Sequence, residues 1–220
     1  MSNKITKVSL NGYGIIPAFN GHNFSNINLF IGENGTGKTF LLKALYSATR
    51  AMEEYQRGDD IKPIGDVLAE KLRWTFQVER LGDMVTRSSS EGLNFDMSLG
   101  TDRISYQFSS SATSKIINVD APDKNRDANS IFIPAKEVLS LYSIVLKSRE
   151  VDKSFGFDDT YYDLVKALRI SPKRGKNYTA FSNSRKMLND VIDGKVEYDE
   201  TSGKWFYKNN RNQKLSLIHI

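Results

Sequence analysis

The stretch "NLFIGENGTGKTFLLKAL", residues 28–45, constrains the fold of this chain more than any other part of its sequence. A short apolar run leads into a loop with three glycines, a lysine and a threonine follow, and an apolar-periodic segment comes next. The letters "GENGTGKT" satisfy the pattern G-x-x-x-x-G-K-[ST] from Gly32 to Thr39, between a predicted strand and a predicted helix. We therefore predict a phosphate-binding loop that is followed by a helix.

The residue types in this loop are those that a bound phosphate group needs. Glycines at 32, 35 and 37 let the backbone curl so that several N–H groups converge on one anion. A helix that begins near Lys38 adds the positive end of its dipole. We expect Lys38 to contact the β- and γ-phosphates of ATP as a catalytic residue and the Thr39 hydroxyl to bind Mg²⁺. The predicted nucleotide-binding residues are Gly32, Asn34, Gly35, Thr36, Gly37, Lys38, Thr39 and Phe40.

Composition narrows the class of protein further. The 220-residue chain has no cysteine, which excludes a disulfide framework and a thiolate metal site. His22 and His219 lie far apart and lack the spacing of metal ligands. The sequence has no signal-peptide core, and no apolar run approaches the ~20 residues of a membrane span. We therefore expect a cytoplasmic protein that does not contact a membrane.

Basic residues cluster late in the chain, in and after "KALRISPKRGK". The formal net charge is only +5, from 31 basic and 26 acidic residues, which is typical of an ordinary solvated surface. Such a cluster can also contact nucleic-acid phosphates, so DNA is a candidate partner. The residues concerned are Lys166, Arg169, Lys173, Arg174, Lys176, Arg185 and Lys186.

Hydrophobic periodicity predicts a mixed α/β chain. "KITKVSL" alternates as an edge strand does, and the alternating apolar residues over 93–99 and 104–108 predict a hairpin. Apolar spacing predicts helices directly after the glycine loop, over about 64–85, and from Lys136 onwards. The other predicted elements are strands at "KIINV" and "SIFIP", helices at "DDTYYDLVKAL" (with a capping aspartate) and "NSRKMLNDVID", and a late hairpin at "KVEYDETSGKWFYK".

The loop and its flanks resemble a known group of ATPases. "IGENGTGKTFLLKAL" is similar to the I-G-x-N-G-x-G-K-[ST]-x-L-L-x-A-L segment of ATP-binding-cassette-type ATPases, above all the prokaryotic SMC-like, RecF-like and OLD-like group. Three later segments resemble bacterial proteins described as AAA family ATPases, so the resemblance spans most of residues 4–208. These segments are "SIFIPAKEVLSLY", "FDDTYYDLVKAL" and "GKVEYDETSGKWFY".

The resemblance implies an α/β fold, that of an ATP-binding-cassette-type P-loop NTPase with an antiparallel side sheet and a helical lobe. Residues 1–214 would form the N-terminal portion of one such domain, which we expect to be incomplete. Within it we expect a nucleotide-binding lobe with the side sheet at 1–135, a helical lobe at 136–194 and a hairpin that returns to the core at 195–214.

The last letters of the chain, "KLSLIHI", leave two interpretations open. Their alternation is typical of a strand, yet "LSLIHI" is also what a common sequencing-library adapter encodes in one reading frame. We therefore set residues 215–220 aside as a candidate non-native tail.

The resemblance also implies an activity and partners. The full-length protein would dimerise with a second copy around ATP, hydrolyse the ATP with Mg²⁺, and serve a DNA-related process such as repair or phage defence. Lys136 or Glu137 of "PAKE" would lie near the γ-phosphate, with Glu137 as a candidate catalytic residue, although a simple role at a helix start is equally open. An aromatic or basic adenine platform near the first strands is implied too, but we expect Tyr13 and Phe19 to pack in the core instead.

Other motifs of such an active site are missing from the sequence. No apolar strand ends in the aspartate and glutamate that organise Mg²⁺ and the attacking water, and no "LSGGQ"-like signature occurs. Asp120 in "IINVDAPD" is the one candidate for the aspartate, and its region fits the side sheet better. The guanine-specifying pattern N-K-x-D is also missing, which favours ATP over GTP. Two alternatives stay open: a non-hydrolysing nucleotide sensor or interaction module, and a small-molecule P-loop kinase.

Overall fold

The computed structural model describes residues 4–59, 61–87, 89–169 and 182–217. They form a mixed α/β structure with antiparallel sheets, which confirms the fold class at this coarse level. Two compact units divide the chain, Met1–Ile131 and Phe132–Ile220. No helix among the described residues is long and apolar enough to cross a membrane.

The sheet of the first unit consists of five antiparallel strands: β1 Ile5–Tyr13, β2 Ile16–His22, β3 Leu93–Leu99, β4 Asp102–Phe108 and β5 Asn118–Asp120. Their spatial order is β2-β1-β3-β4-β5. Alternate residues of β3 are buried, which gives the sheet one apolar face and one polar face. The hairpin predicted for β3 and β4 is confirmed, because the two strands pair from Leu93 opposite Phe108 to Leu99 opposite Asp102.

The strand at "KITKVSL" is not an edge strand as predicted, because β1 lies between β2 and β3. The chain turns at Gly14, where φ is +59°, and returns as β2, which the sequence patterns do not predict. Pro17 and Gly21 obscure β2 in the sequence, since both residue types are rare in strands. Proline is tolerated here because β2 is itself the edge of the sheet.

Two helices, α1 Lys38–Glu54 and α2 Ile64–Phe76, share one apolar core with the sheet. α1 buries Leu41, Ala48 and Met52 on one face, as the spacing of apolar residues after the loop predicts. The predicted helix after the glycine loop is therefore confirmed, and the core holds it in place.

The helix predicted over about 64–85 is shorter in the structure. α2 ends at Phe76, and Gln77 then adopts a left-handed conformation with φ of 53°. A 3₁₀ turn follows at Leu81–Met84, and Val85 forms a β-bridge with the end of β1. Backbone pairing with β1 thus replaces the helix that the apolar periodicity predicts, because that pairing is invisible to a local pattern.

The segment 28–31 before the glycine loop belongs to neither sheet, so the strand predicted there is wrong for the described residues. Phe30 packs on the core, whereas Ile27, Leu29 and Ile31 are exposed. The alternation is that of a strand, but a strand also needs a neighbour for its backbone hydrogen bonds. "SIFIP" likewise forms no strand, and the strand predicted at "KIINV" is reduced to β5.

The second unit combines short helices with a three-stranded antiparallel sheet in the order β6-β7-β8. Val138, Tyr142, Val145 and Val165 form its small buried core. Its elements are α3 Tyr142–Leu146, a π-helical turn Lys147–Val151, α4 Asp159–Arg169, α5 Ser182–Val191, β6 Gly194–Asp199, β7 Lys204–Asn209 and β8 Lys214–Ser216.

Most of the late elements match their predictions. The Asp158 carboxylate accepts the Thr160 N–H at 2.9 Å, which confirms the capping aspartate before α4. The helix at "NSRKMLNDVID" and the late hairpin are confirmed by α5 and by the β6–β7 pair. The helix predicted from Lys136 begins only at Tyr142. β8 pairs with β7 inside the "KLSLIHI" run, as expected of the strand interpretation.

Candidate nucleotide-binding site

The predicted phosphate-binding loop leads directly into α1. Gly35 and Gly37 have φ values of +81° and +92°, a region that residues with side chains disfavour. Gly37 also packs closely on β2, since a Cβ placed on it would lie 2.7 Å from the Ile16 Cγ1 atom. The loop therefore needs glycine at these two positions in order to curl against the helix start.

The first turn of α1 presents backbone donors. The Leu41 N–H donates to the Gly37 carbonyl at 2.8 Å, and no side chain caps the N-terminus of the helix. Free amides at a helix start, together with the helix dipole, attract an anion. The Thr39 side chain lies in this turn and is exposed, so its hydroxyl is open to a ligand.

Lys38 holds the loop in its curled shape. Its ammonium group donates to the Gly32 carbonyl at 2.7 Å and to the Glu33 carbonyl at 2.5 Å. The Thr36 hydroxyl donates to the same Glu33 carbonyl at 2.9 Å. An ammonium group has three donors, so one N–H of Lys38 is not used by these carbonyls. The positive charge of Lys38 is thus fixed at the loop, where a phosphate oxygen can reach it.

Phe40 anchors the helix start to the core. Its ring lies 4.5 Å from the Phe76 ring and 5.7 Å from the Tyr13 ring, centroid to centroid. Gly14 leaves room for it, because a Cβ there would lie 2.4 Å from the Phe40 ring. The structure thus places the eight predicted nucleotide-binding residues in one loop and one helical turn, with Gly32 and Asn34 exposed. Their contact with a nucleotide stays a prediction.

Glu137 makes a local contact in the second unit. Its carboxylate accepts the Ser140 N–H at 3.0 Å and also accepts the Ser140 hydroxyl, just before α3. This contact matches the simpler interpretation of Glu137 as a residue that stabilises a helix start. Lys136 beside it is exposed. The predicted catalytic role of Glu137 stays a prediction.

Asp120 lies where the sequence favours it, in the antiparallel sheet. It is on the edge strand β5, opposite Ser105 of β4. Its carboxylate pairs with the Arg103 guanidinium at 3.2 Å, and Arg103 also pairs with Asp96. The hydrogen bond to Asp96 raises the pKa of Arg103, so this cation stays charged across the sheet surface.

The two aromatic residues near the first strands pack in the core, as expected. Tyr13 is fully buried, and its hydroxyl lies 3.0 Å from the Tyr106 hydroxyl. Burial raises the pKa of both phenols, so both remain neutral at ordinary pH. Phe19 is partly buried against the ring of Phe30, at a centroid distance of 6.4 Å.

Sequence reasoning misses a cleft beside the loop. Its lining residues come from the β1–β2 turn, the start of α1, the end of α2 and the segment around the 3₁₀ turn, so no local motif marks it. The only sequence signal is the pair Gly14 and Ile15, a glycine turn with an isoleucine that the structure leaves exposed.

The basic cluster is described only in part. On α4, the Arg169 guanidinium lies 3.1 Å from the Glu150 carboxylate, and the Lys166 ammonium lies 5.1 Å from the centre of the Tyr162 ring. Both contacts are ordinary for an exposed helix face. Lys173, Arg174 and Lys176 lie outside the described residues, and DNA stays a candidate partner.

Comparison with known proteins adds no family to these observations. No protein-family profile matches the chain, and no curated protein matches it either. Among the described residues, no group of three or more histidine, cysteine, aspartate or glutamate side chains could hold a metal ion by itself. Support for a function therefore comes from the residues of the loop.

Proposed function

We propose that the chain binds ATP together with Mg²⁺ at residues 32–40. One observation carries the proposal: a G-x-x-x-x-G-K-[ST] sequence forms a curled glycine loop with the Lys38 ammonium bonded across it and α1 starting at its end. Backbone N–H groups of the loop and the first turn would bind the phosphate oxygens. Lys38 would neutralise the β- and γ-phosphates, and the Thr39 hydroxyl would be a ligand of Mg²⁺.

In the full-length protein we propose that this site belongs to an ATP-binding-cassette-like P-loop ATPase. The segment "IGENGTGKTFLLKAL" supports this assignment, and so does an antiparallel sheet that shares its core with α1. Such a protein would hydrolyse ATP as a homodimer and serve a DNA-related or phage-defence process in the cytoplasm. Glu137 is then a candidate for contact with the attacking water or the γ-phosphate.

A nucleotide-binding module without hydrolysis is the second candidate. The placement of Asp120 favours it, because the one aspartate that could have organised Mg²⁺ pairs instead with Arg103 in the antiparallel sheet. Release of phosphate from ATP by this chain would exclude the second candidate, and binding without release would support it.

Lys38→Ala tests the ATP proposal. By isothermal titration in the presence of Mg²⁺, we expect this change to weaken ATP binding about a hundredfold or more, since charged hydrogen bonds to phosphate are lost. Lys62→Ala is the control: Lys62 is an exposed lysine that pairs with Glu70 at 3.8 Å, outside the loop. Equal ATP affinity of Lys38→Ala and the unaltered chain would refute the assignment of the loop.

A further inference from the structure

A cleft of about 430 Å³ lies in the first unit, beside the start of α1. Its volume is within the range of small-molecule sites, about 300–1,000 Å³. The β1–β2 turn, α1, α2 and the segment around the 3₁₀ turn each contribute to its wall. The lining residues are Gly14, Ile15, Phe40, Phe76, Val78, Asp83, Met84, Val85 and Arg87.

The wall of this cleft is mainly apolar, with two charged residues. Ile15 is 58% exposed, which is unusual for an isoleucine in a turn that packs against a core. The side chains of Asp83 and Arg87 are exposed and make no ion pair or hydrogen bond with another described residue. The cleft therefore offers flat apolar contact together with one free carboxylate and one free guanidinium.

The cleft is continuous with the phosphate-binding loop. Phe40 lines it and also follows Thr39 in the first turn of α1. Ile15 reaches the loop as well, because a Cβ placed on Gly37 would lie 3.3 Å from the Ile15 Cγ1 atom. A ligand whose phosphates are held at the helix start can therefore extend its remaining part into this cleft.

We propose that this cleft is the nucleoside subsite of the nucleotide whose phosphates bind at residues 32–39, and that it takes a purine base. The proposal rests on the proposed function. A purine has two apolar faces that would contact Ile15 and the aromatic wall at Phe40. Its polar edge and the ribose hydroxyls would meet Asp83 and Arg87, whose hydrogen-bonding groups are otherwise free.

A larger depression, of about 560 Å³, lies on the polar face of the sheet and is less suited to a nucleoside. Its side chains are mainly amides, hydroxyls and carboxylates, among them Asn11, Asn94 and Gln107, and none of its lining residues belongs to the loop. A nucleotide bound at the loop would need both apolar contact and continuity with the helix start, and this depression provides neither.

Parallel titrations with Mg–ATP and with magnesium tripolyphosphate test the subsite, because only ATP carries a nucleoside. Ile15→Ser removes an apolar wall at an exposed position, so the fold should persist, and a circular-dichroism melt checks this. We expect Ile15→Ser to weaken ATP binding about tenfold and to leave tripolyphosphate binding unchanged. Ile61→Ser is the matched control, since Ile61 is 70% exposed and lies outside the cleft; it should change neither affinity.

The outcomes separate the subsite from the loop. Equal losses for ATP and tripolyphosphate in Ile15→Ser, or no loss for either, would overturn the subsite and leave the loop assignment standing. If the unaltered chain binds neither ligand, the proposed function itself is overturned. Lys38→Ala should weaken both ligands, which shows that the loop and the cleft act on different parts of ATP.

Photolabelling locates the base without any substitution. With 8-azido-ATP and the unaltered chain, we expect the label in peptides that contain residues 14–15 or 76–87, and excess ATP should suppress it. Label confined to peptides outside these two segments would overturn the subsite. Weaker competition by CTP than by GTP would support a purine base, and equal competition by the two would contradict it.

Discussion

The two segments that flank the glycine loop are both apolar, yet only one of them is packed. Helix α1 buries Leu41 and Met52 in the core of the first unit, whereas Leu29 and Ile31 before the loop are more than four-fifths exposed, at 81% and 84%. A helix satisfies its own backbone hydrogen bonds and needs only one apolar surface to pack against. A strand needs a neighbouring strand as well, and residues 28–31 pair with none among the described residues.

The consequence is that the loop takes its shape from the helix side and from β2. Gly37 lies against Ile16, Phe40 lies in an aromatic cluster, and Lys38 bonds back to the carbonyls of the loop. A phosphate site needs donors that are already oriented, and a packed helix start provides them at little entropic cost. Three predictions test how far the two flanks differ.

The largest expected effect comes from truncating an apolar side chain on each flank. Met52→Ala should lower the free energy of unfolding by about 2–5 kcal/mol, because it leaves a cavity beneath a fully buried side chain. Leu29→Ala should change it by less than about 0.5 kcal/mol, since Leu29 is exposed. Urea unfolding followed by circular dichroism measures both. Similar losses for the two variants would mean that residues 28–31 are packed in solution.

A smaller effect is expected where α1 holds the chain at residue 130. The buried Glu53 carboxylate accepts the Ser130 N–H at 2.9 Å and the Ser130 hydroxyl at 2.6 Å. Glu53→Gln replaces one acceptor oxygen by a donor, so it should cost about 1–3 kcal/mol of unfolding free energy. Glu70→Gln is the control at an exposed acid and should cost less than about 1 kcal/mol. Equal losses in urea unfolding would show that the Glu53–Ser130 contact contributes little.

The smallest expected difference is between two glycines of the loop itself. Gly37→Ala and Gly35→Ala both place a side chain at positive φ, at a cost of about 1–2 kcal/mol each. Only at Gly37 does the new Cβ also collide with Ile16, whereas the space around Gly35 is open. Thermal unfolding should therefore show a lower midpoint for Gly37→Ala than for Gly35→Ala. The reverse order would mean that the loop does not lie against β2.

Local patterns predicted much of this fold. The β3–β4 hairpin, α1, α4, α5 and the β6–β7 hairpin all lie where periodicity, turn residues and caps indicate them. These elements are formed by contacts between residues close in sequence, so the pattern contains most of the information. The prediction of α2 as far as Val85 was wrong because the bridge between Val85 and Tyr13 joins residues 72 positions apart, 85 minus 13.

The candidate site divides in the same way. Every residue of the phosphate-binding loop was predicted, because Gly32 to Phe40 are consecutive and each residue type has a local reason to be there. Ile15, Asp83 and Arg87 were not predicted as site residues, since they come from distant segments and form a cleft only when these segments pack together.

By itself, the sequence of this protein determined a curled glycine loop that ends in an amphipathic helix, since backbone freedom at glycine and a 3.6-residue period are local properties. Only the tertiary structure decided that β2 forms the sheet edge, that α2 stops at Phe76, and that Ile15 stands exposed beside the loop. Those outcomes depend on which distant backbone groups pair and which surfaces bury one another. Pairing and burial are properties of the folded chain as a whole.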